Sequence, residues 1–296
     1  MSEKIHKSVL LQEVMHYLEP KPGQKFIDAT FGAGGHSLAI LEAVGINGKV
    51  FGIEWNEELY EAAHGRFGGI KRLVLVNDNY RNLKRVAEEK GFIDADAILM
   101  DLGFSSWHIE QSGRGFSFQK DEPLDMRYSE KESLTAAEIV NQWPPQMLEK
   151  ILKEYGEERF AEKISEAVVE ARKEKPIVDT FKLVEVIKEA VPGWYSKGRL
   201  NPATKTFQAL RIAVNRELEN LKEGLSQAPE VLRSGGRLAV ISFHSLEDRM
   251  VKNAFRDFEK NGIGRVITKK PVRPSKEEIS LNPKSRSAKM RVFQKT

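Results

Sequence analysis

Four short apolar runs, Lys25 to Ala29, Val50 to Ile53, Leu73 to Val76 and Ala97 to Met100, punctuate the first third of the chain. Between them lie Ser37 to Val44, Glu57 to Phe67 and Asn82 to Lys90, whose apolar residues recur at helical spacing. Strands separated by helices cannot pair through tight hairpins. Each must return by a crossover, which builds a parallel sheet with both faces covered. The expected fold class is therefore α/β, a Rossmann-like domain with a mainly parallel sheet. In such a sheet the residues just beyond the carboxyl ends of the strands face the ligand crevice.

The end of the first strand carries the sharpest chemical signal. Lys25-Phe-Ile-Asp-Ala-Thr-Phe-Gly-Ala-Gly-Gly-His36 reads as a strand closed by an acid, then a glycine turn opening a helix. Such a turn brings bare backbone N–H groups up to a ligand. The second strand ends in Glu54, at the separation where a carboxylate accepts the hydroxyls of a ribose. Together these imply a nucleoside cofactor; the competing reading is a plain strand–helix turn beside an exposed Glu54. The glycines do not spell a dinucleotide fingerprint, because Gly34 and Gly35 are followed by His36 and Ser37. No Lys-Ser or Lys-Thr follows to make a P-loop. S-adenosylmethionine (SAM) fits better, since it has a ribose and a carboxylate but no pyrophosphate to cradle.

Asp101 closes the fourth strand, which lies beside the first in this topology, so its carboxylate is expected in the crevice. There it could meet the methionine ammonium of SAM, orient a nucleophile or accept a proton; an acidic cap on the next turn is the rival role. Asp101-Leu-Gly-Phe104 has the acid and the aromatic that enzymes methylating exocyclic amines carry at this strand end, with their Pro-Pro pair replaced. His244, in Ser242-Phe-His-Ser-Leu-Glu-Asp-Arg249 at the end of the fifth strand, is placed to take a proton or to cap a helix. His36 is assigned to the cofactor, and Tyr80, after the third strand, to stacking on adenine or to packing. His6, His16 and His64 show no metal-ligand spacing, and no metal is expected.

Beyond Asp101 the rhythm breaks. Gly103 to Arg127 reads as a long loop rich in Gly, Ser and aromatics, and only helices follow it. Thr135-x-x-Glu138 is a capping box, and Pro144-Pro145 opens another helix. The fifth strand, Arg237 to Ser242, comes after a helix expected over Thr204 to Leu225. The domain reading is a discontinuous SAM domain, residues 1–106 and 204–296, with an all-helical insert, 107–203, over the active site for substrate recognition. The net charge of +4 is uneven, since residues 261–296 hold ten Lys or Arg against two Glu. A basic tail on an acidic body reads as a phosphate-backbone contact, or as a solvated tail. There is no cysteine, hence no disulfide or thiolate metal site, and no run of membrane-spanning length. A cytoplasmic location is expected.

The order of motifs adds a resemblance. His6-Lys-Ser-Val-Leu-Leu-Gln-Glu13, Asp28-Ala-Thr-Phe-Gly-Ala-Gly-Gly-His36, Asp101-Leu-Gly-Phe-Ser-Ser106 and Arg114-Gly-Phe-Ser-Phe118 are followed by Pro123-Leu-Asp-Met-Arg127 and Tyr155-Gly-Glu-Glu-Arg-Phe160. Pro202-Ala-Thr-Lys-Thr-Phe-Gln-Ala209 and Ile241-Ser-Phe-His-Ser-Leu-Glu-Asp-Arg249 complete the set. Nearly end to end, the chain resembles the MraW (RsmH) family, bacterial SAM-dependent enzymes that methylate N4 of a cytidine in 16S ribosomal RNA. The resemblance implies SAM contacts from Gly34, Gly35, His36, Glu54, Tyr80, Asp101 and His108. Three of these depart from the family pattern: Glu54 stands where Asp is common, Tyr80 replaces Phe, and His108 replaces Gln. Asp101 and His244 both stand as candidates for the catalytic base.

The function expected is direct methyl transfer from SAM to a cytidine of 16S rRNA in the small subunit, with the basic tail and the loop around Arg114 gripping phosphates. A DNA amino-methyltransferase and a non-catalytic SAM-binding assembly factor are the rivals. The broken glycine fingerprint disfavours a nicotinamide oxidoreductase.

Overall fold

The computed structural model describes residues 8–103, 105–198 and 200–296, with Ser106 described by its backbone alone. His6 and Phe104 lie outside the described residues. The strands are β1 Lys25–Asp28, β2 Lys49–Glu54, β3 Leu73–Asn77, β4 Ala95–Asp101, β5 Leu232–Ser242, β6 Gly264–Val266 and β7 Lys289–Lys295. They form one seven-stranded sheet in the order β3-β2-β1-β4-β5-β7-β6. The first five pair in parallel, as the alternation with helices requires, while β7 runs antiparallel to β5 and β6.

Side chains alternate across the sheet with a period of two, and the strands are apolar on both sides. Ile27, Phe51, Ile98, Met100, Leu238 and Val240 enter one buried cluster with Leu83, Val86, Val251 and Phe255. Their neighbours Phe26, Val50, Ala97, Leu99, Ala239 and Ile241 enter another with Ile40, Leu41 and Val44. The chain winds outward from β1 through β2 to β3, then returns to the other side of β1 as β4. The topological switch point thus lies between β1 and β4, where a doubly wound sheet opens its crevice.

The basic tail differs from the expectation of a contact strip or a solvated segment. Its last residues form β7, with Met290 and Val292 buried in one cluster and Phe293 in the other. Arg291 is buried and pairs with Asp248 at 2.7 Å, and Lys289 reaches the same carboxylate at 3.3 Å. Lys295 donates to the Leu232 carbonyl at 2.6 Å. Interleaved cations hid the apolar alternation, because each is engaged by a residue distant in sequence. Lys269, Lys270, Arg273, Lys276, Lys284 and Arg286 remain exposed.

By contact density the chain forms two compact units, Met1–Gly103 with Leu218–Thr296, and Phe104–Glu217. The helix read over Thr204 to Leu225 is two helices, Ala203–Asn215 and Glu217–Val231, broken at Arg216, whose φ of 49° is left-handed. The second unit is built on helices including Ala136–Gln142, Pro145–Glu154, Ala161–Glu174 and Thr180–Ala190. The long loop that opens this unit is internally tied. Gly115, at φ +72°, brings its Cα against the Pro123 carbonyl, where a Cβ would come within 2.3 Å of the oxygen. Arg114 is buried and pairs with Glu130 at 2.9 Å, so this cation is turned inward instead of being presented to phosphates. Among the described residues no helix is long and apolar enough to cross a membrane.

Candidate active site

The crevice begins at the end of β1. Asp28 is buried and accepts hydrogen bonds from the Ser37 hydroxyl at 2.7 Å and the Thr30 amide at 3.2 Å. Thr30 Oγ1 in turn accepts the Asp101 amide at 2.6 Å, which stitches the β1 turn to the end of β4. The Phe31 ring is wedged beneath the turn: a Cβ on Gly34 would lie 2.7 Å from it, and a Cβ on Gly52 of β2 only 2.4 Å. Gly34 also needs its left-handed φ of +81° to start the helix Gly35–Ala43. A Cβ on Gly32 would meet only the Thr30 carbonyl, at 3.9 Å, so that side of the turn is open.

His36 is buried in the first turn of that helix. Its Nε2 lies 2.9 Å from the Val9 carbonyl, which can only accept, so Nε2 carries a proton. Its Nδ1 faces Asp101 Oδ2 at 3.6 Å, too long for a good hydrogen bond. The other oxygen, Asp101 Oδ1, is buried with no hydrogen-bond partner. Burial pushes the Asp101 carboxyl well above the ordinary carboxylate range, and the charges of Asp28 and Glu247 push it further. Burial also raises Asp28, against the pull of His36 and the Ser37 hydroxyl.

Glu54 closes β2 and is spent partly on the turn itself. Its Oε2 accepts the Gly32 amide and its Oε1 the Asn56 amide, each at 2.8 Å. Burial nevertheless lifts its pKa to about 7. Each carboxylate oxygen keeps a second lone pair, so hydroxyl donors are still admissible. Tyr80 opens the short helix Tyr80–Asn82 after β3, half-buried, with its ring against Gly224.

His244 is the N-cap of the helix Ser245–Lys260. Its Nδ1 accepts the Glu247 amide at 3.4 Å, while Glu247 Oε2 accepts the amides of Phe243 at 2.9 Å and His244 at 3.3 Å. Nε2 lies 3.2 Å from Glu247 Oε1 without the alignment of a hydrogen bond. Buried Glu247, which sequence reasoning did not single out, was discoverable from the capping-box spacing His-x-x-Glu.

Asp28, His36 and Asp101 thus come together at the switch point, and Glu54 joins them through Gly32. His108 belongs to the second unit. Its Nδ1 accepts the Ser105 amide at 3.2 Å, and its ring packs edge-on against Phe116 and Tyr128, 5.0 Å from each. Burial, with Arg114 and Arg211 nearby, pushes its pKa down to about 3. The ring is therefore neutral, and Nε2 is a buried N–H donor without a partner.

A glycine turn, an acid at each of three adjacent strand ends and one orphaned carboxylate oxygen suit a nucleoside cofactor that also bears an ammonium. A sequence profile of the MraW methylase family matches residues 3–296. The chain belongs to that family. Ribosomal RNA small subunit methyltransferase H of Dictyoglomus thermophilum is 48% identical over 292 residues, covering 98% of this chain and 96% of that protein. The protein of the same name from Desulfotalea psychrophila is 45% identical over 295 residues, covering 99% of each. The methyl donor is SAM, and the residues present fit it. Asp101 Oδ1 lacks a donor, Gly32 leaves room for a ligand, and Glu54 retains acceptor capacity.

Proposed function

We propose that this methylase transfers a methyl group to N4 of a specific cytidine in 16S rRNA of the small ribosomal subunit, in the cytoplasm. The relatives carry the substrate class in their names, and the orphaned Asp101 Oδ1 at the switch point carries the chemistry. SAM supplies an electrophilic methyl group. Gly34, Gly35, His36, Glu54, Tyr80 and Asp101 would hold it.

The amine on a cytosine ring is a poor nucleophile because its lone pair is delocalised into the ring. An acceptor for one of its N–H groups returns electron density to the nitrogen and fixes its direction. Asp101 suits that role, and its raised pKa makes it a competent acceptor for the proton released on transfer. His244 is less suited, since its Nδ1 lone pair is engaged as a helix cap. The test is transfer of labelled methyl from SAM to unmodified small subunits, with free 16S rRNA and DNA in parallel and nucleosides read by mass spectrometry. N4-methylcytidine in rRNA is the expected product. Transfer to DNA instead, or SAM binding without transfer to any nucleic acid, would reject the proposal.

Glu54 gives the cofactor site a pH dependence. Ribose hydroxyls donate to a carboxylate, so binding selects the ionised form. SAM affinity is expected to climb as pH rises through about 7 and then to level off. The stability of the ligand-free protein runs the other way. The unfolded chain ionises at the ordinary value of 4.5 while the folded state keeps the proton to about 7, so stability falls across that window. Glu54→Gln is expected to bind SAM about ten- to a hundredfold more weakly, with a flat profile. Calorimetric titration at pH 6 and pH 8 measures both effects, and a wild-type affinity independent of pH would remove Glu54 from the ribose.

The exposed tail cations Lys269, Lys270 and Arg273 are proposed to contact phosphates. Replacing all three with Gln is expected to weaken subunit binding and to flatten its log–log salt dependence by about 0.7–0.9 per lost contact. An unchanged slope would return them to plain surface charge.

A further inference from the structure

Within the helical unit an apolar hollow of about 390 Å³ is lined by Trp194, Tyr195, Leu200, Asn201, Thr204 and Lys205. Its aromatic wall is held rigidly from behind. The Tyr195 hydroxyl donates to both oxygens of buried Glu158, at 3.0 and 2.8 Å, and Glu158 also accepts the Phe160 amide at 2.8 Å. Phe160 meets Tyr195 edge-on at 4.8 Å and Trp194 at 5.9 Å. The mouth is the opposite of a core. Trp194 is 63% exposed and Leu200 61%. Leaving an indole and a leucine side by side in water forgoes their burial free energy, which marks a contact surface.

The charge around the hollow selects the occupant. The Arg159 guanidinium lies 5.6 Å from the Trp194 ring centroid, Lys205 is part of the lining, and exposed Lys197 follows the aromatic pair. The acid packed behind the aromatic wall, Glu158, is buried and held by the Tyr195 hydroxyl and the Phe160 amide. Exposed aromatics edged by cations are the means by which proteins hold single-stranded nucleic acid, with bases on the rings and phosphates on the charges. We propose that this hollow takes an unstacked nucleobase of the substrate RNA other than the cytidine that is methylated, with Trp194 as the stacking surface and Arg159, Lys197 and Lys205 facing its flanking phosphates. The proposal rests on the reading of rRNA as substrate.

The experiment measures methyl transfer to unmodified small subunits by Trp194→Ala, Trp194→Phe and Trp194→Leu, with KM and kcat separated and SAM affinity determined alongside. One lost base stack raises KM by about five- to a hundredfold for alanine, leaves kcat and SAM affinity unchanged, and is largely restored by phenylalanine but not by leucine. Lys205→Gln is expected to raise KM mainly at low salt and to reduce the salt slope by about one contact. A KM for Trp194→Ala equal to that of wild type would overturn the proposal. So would restoration by leucine as full as by phenylalanine, because that pattern belongs to an apolar protein contact. If wild type itself transfers nothing to rRNA, the substrate reading fails, and that result is distinct from an active wild type with an indifferent Trp194.

Discussion

Asp101→Ala is expected to lower kcat for methyl transfer by about 10²- to 10⁴-fold, the range for losing a positioned proton acceptor. The same variant should be no less stable than wild type. Asp101 Oδ1 has no partner to lose, and the partly buried carboxyl lies beside the charges of Asp28 and Glu247. A carboxyl raised in the folded state holds its proton after the unfolded chain has released it, so it costs stability as pH rises above the ordinary carboxylate value. Removing it should therefore stabilise the fold more at pH 8 than at pH 5, as denaturant titration can show. Asp101→Asn separates the roles, because the amide oxygen still accepts a hydrogen bond but cannot take a proton. Turnover near wild type in the asparagine variant would dismiss the proton-acceptor role. Turnover near wild type in the alanine variant would dismiss Asp101 from the chemistry altogether.

Gly34→Ala is expected to cost about 2–3 kcal/mol of stability and at least about tenfold in SAM affinity. Two effects add. The position sits at φ +81°, where any side chain is strained, and the new Cβ would lie 2.7 Å from Phe31 and 3.2 Å from Phe67. Both rings are buried, so neither can swing aside without opening the turn. Gly32→Ala is the informative comparison. Its φ of +53° is also strained, yet its Cβ would meet nothing closer than 3.9 Å. It should lose less stability while still crowding the open side of the turn. Thermal unfolding and calorimetric titration of both variants decide the matter. A Gly34→Ala protein with wild-type melting and SAM affinity would mean that the turn is not the cofactor cradle.

The parts legible in the sequence share one property: their signal is local. Alternating apolar runs gave the parallel strands and their covered faces, and Asp28, Glu54 and Asp101 stood at strand ends because the runs stopped there. The glycine turn could be read without knowing its surroundings, since a left-handed φ is a property of one residue. What resisted reading was the state of each charge. Arg114 and Arg291 look identical to surface cations in the chain, yet both are buried against carboxylates, one within the helical unit and one on β7 of the sheet. β7 stayed hidden for the same reason. His244 follows the end of β5, but its engagement as a helix cap depends on the fold of the residues that come after it.

By itself, then, the sequence determined the parallel run of the first five strands, the position of the glycine turn and the identity of the acids around it, because backbone sterics and apolar periodicity act over a few residues. Tertiary structure alone decided which carboxylate oxygen lacks a partner, which cations are spent internally and which aromatics are left in water beside Lys205. Those are outcomes of burial and of pairing between residues far apart in the chain. A charged or aromatic side chain takes its chemical character from its neighbours, and only the folded protein assembles them.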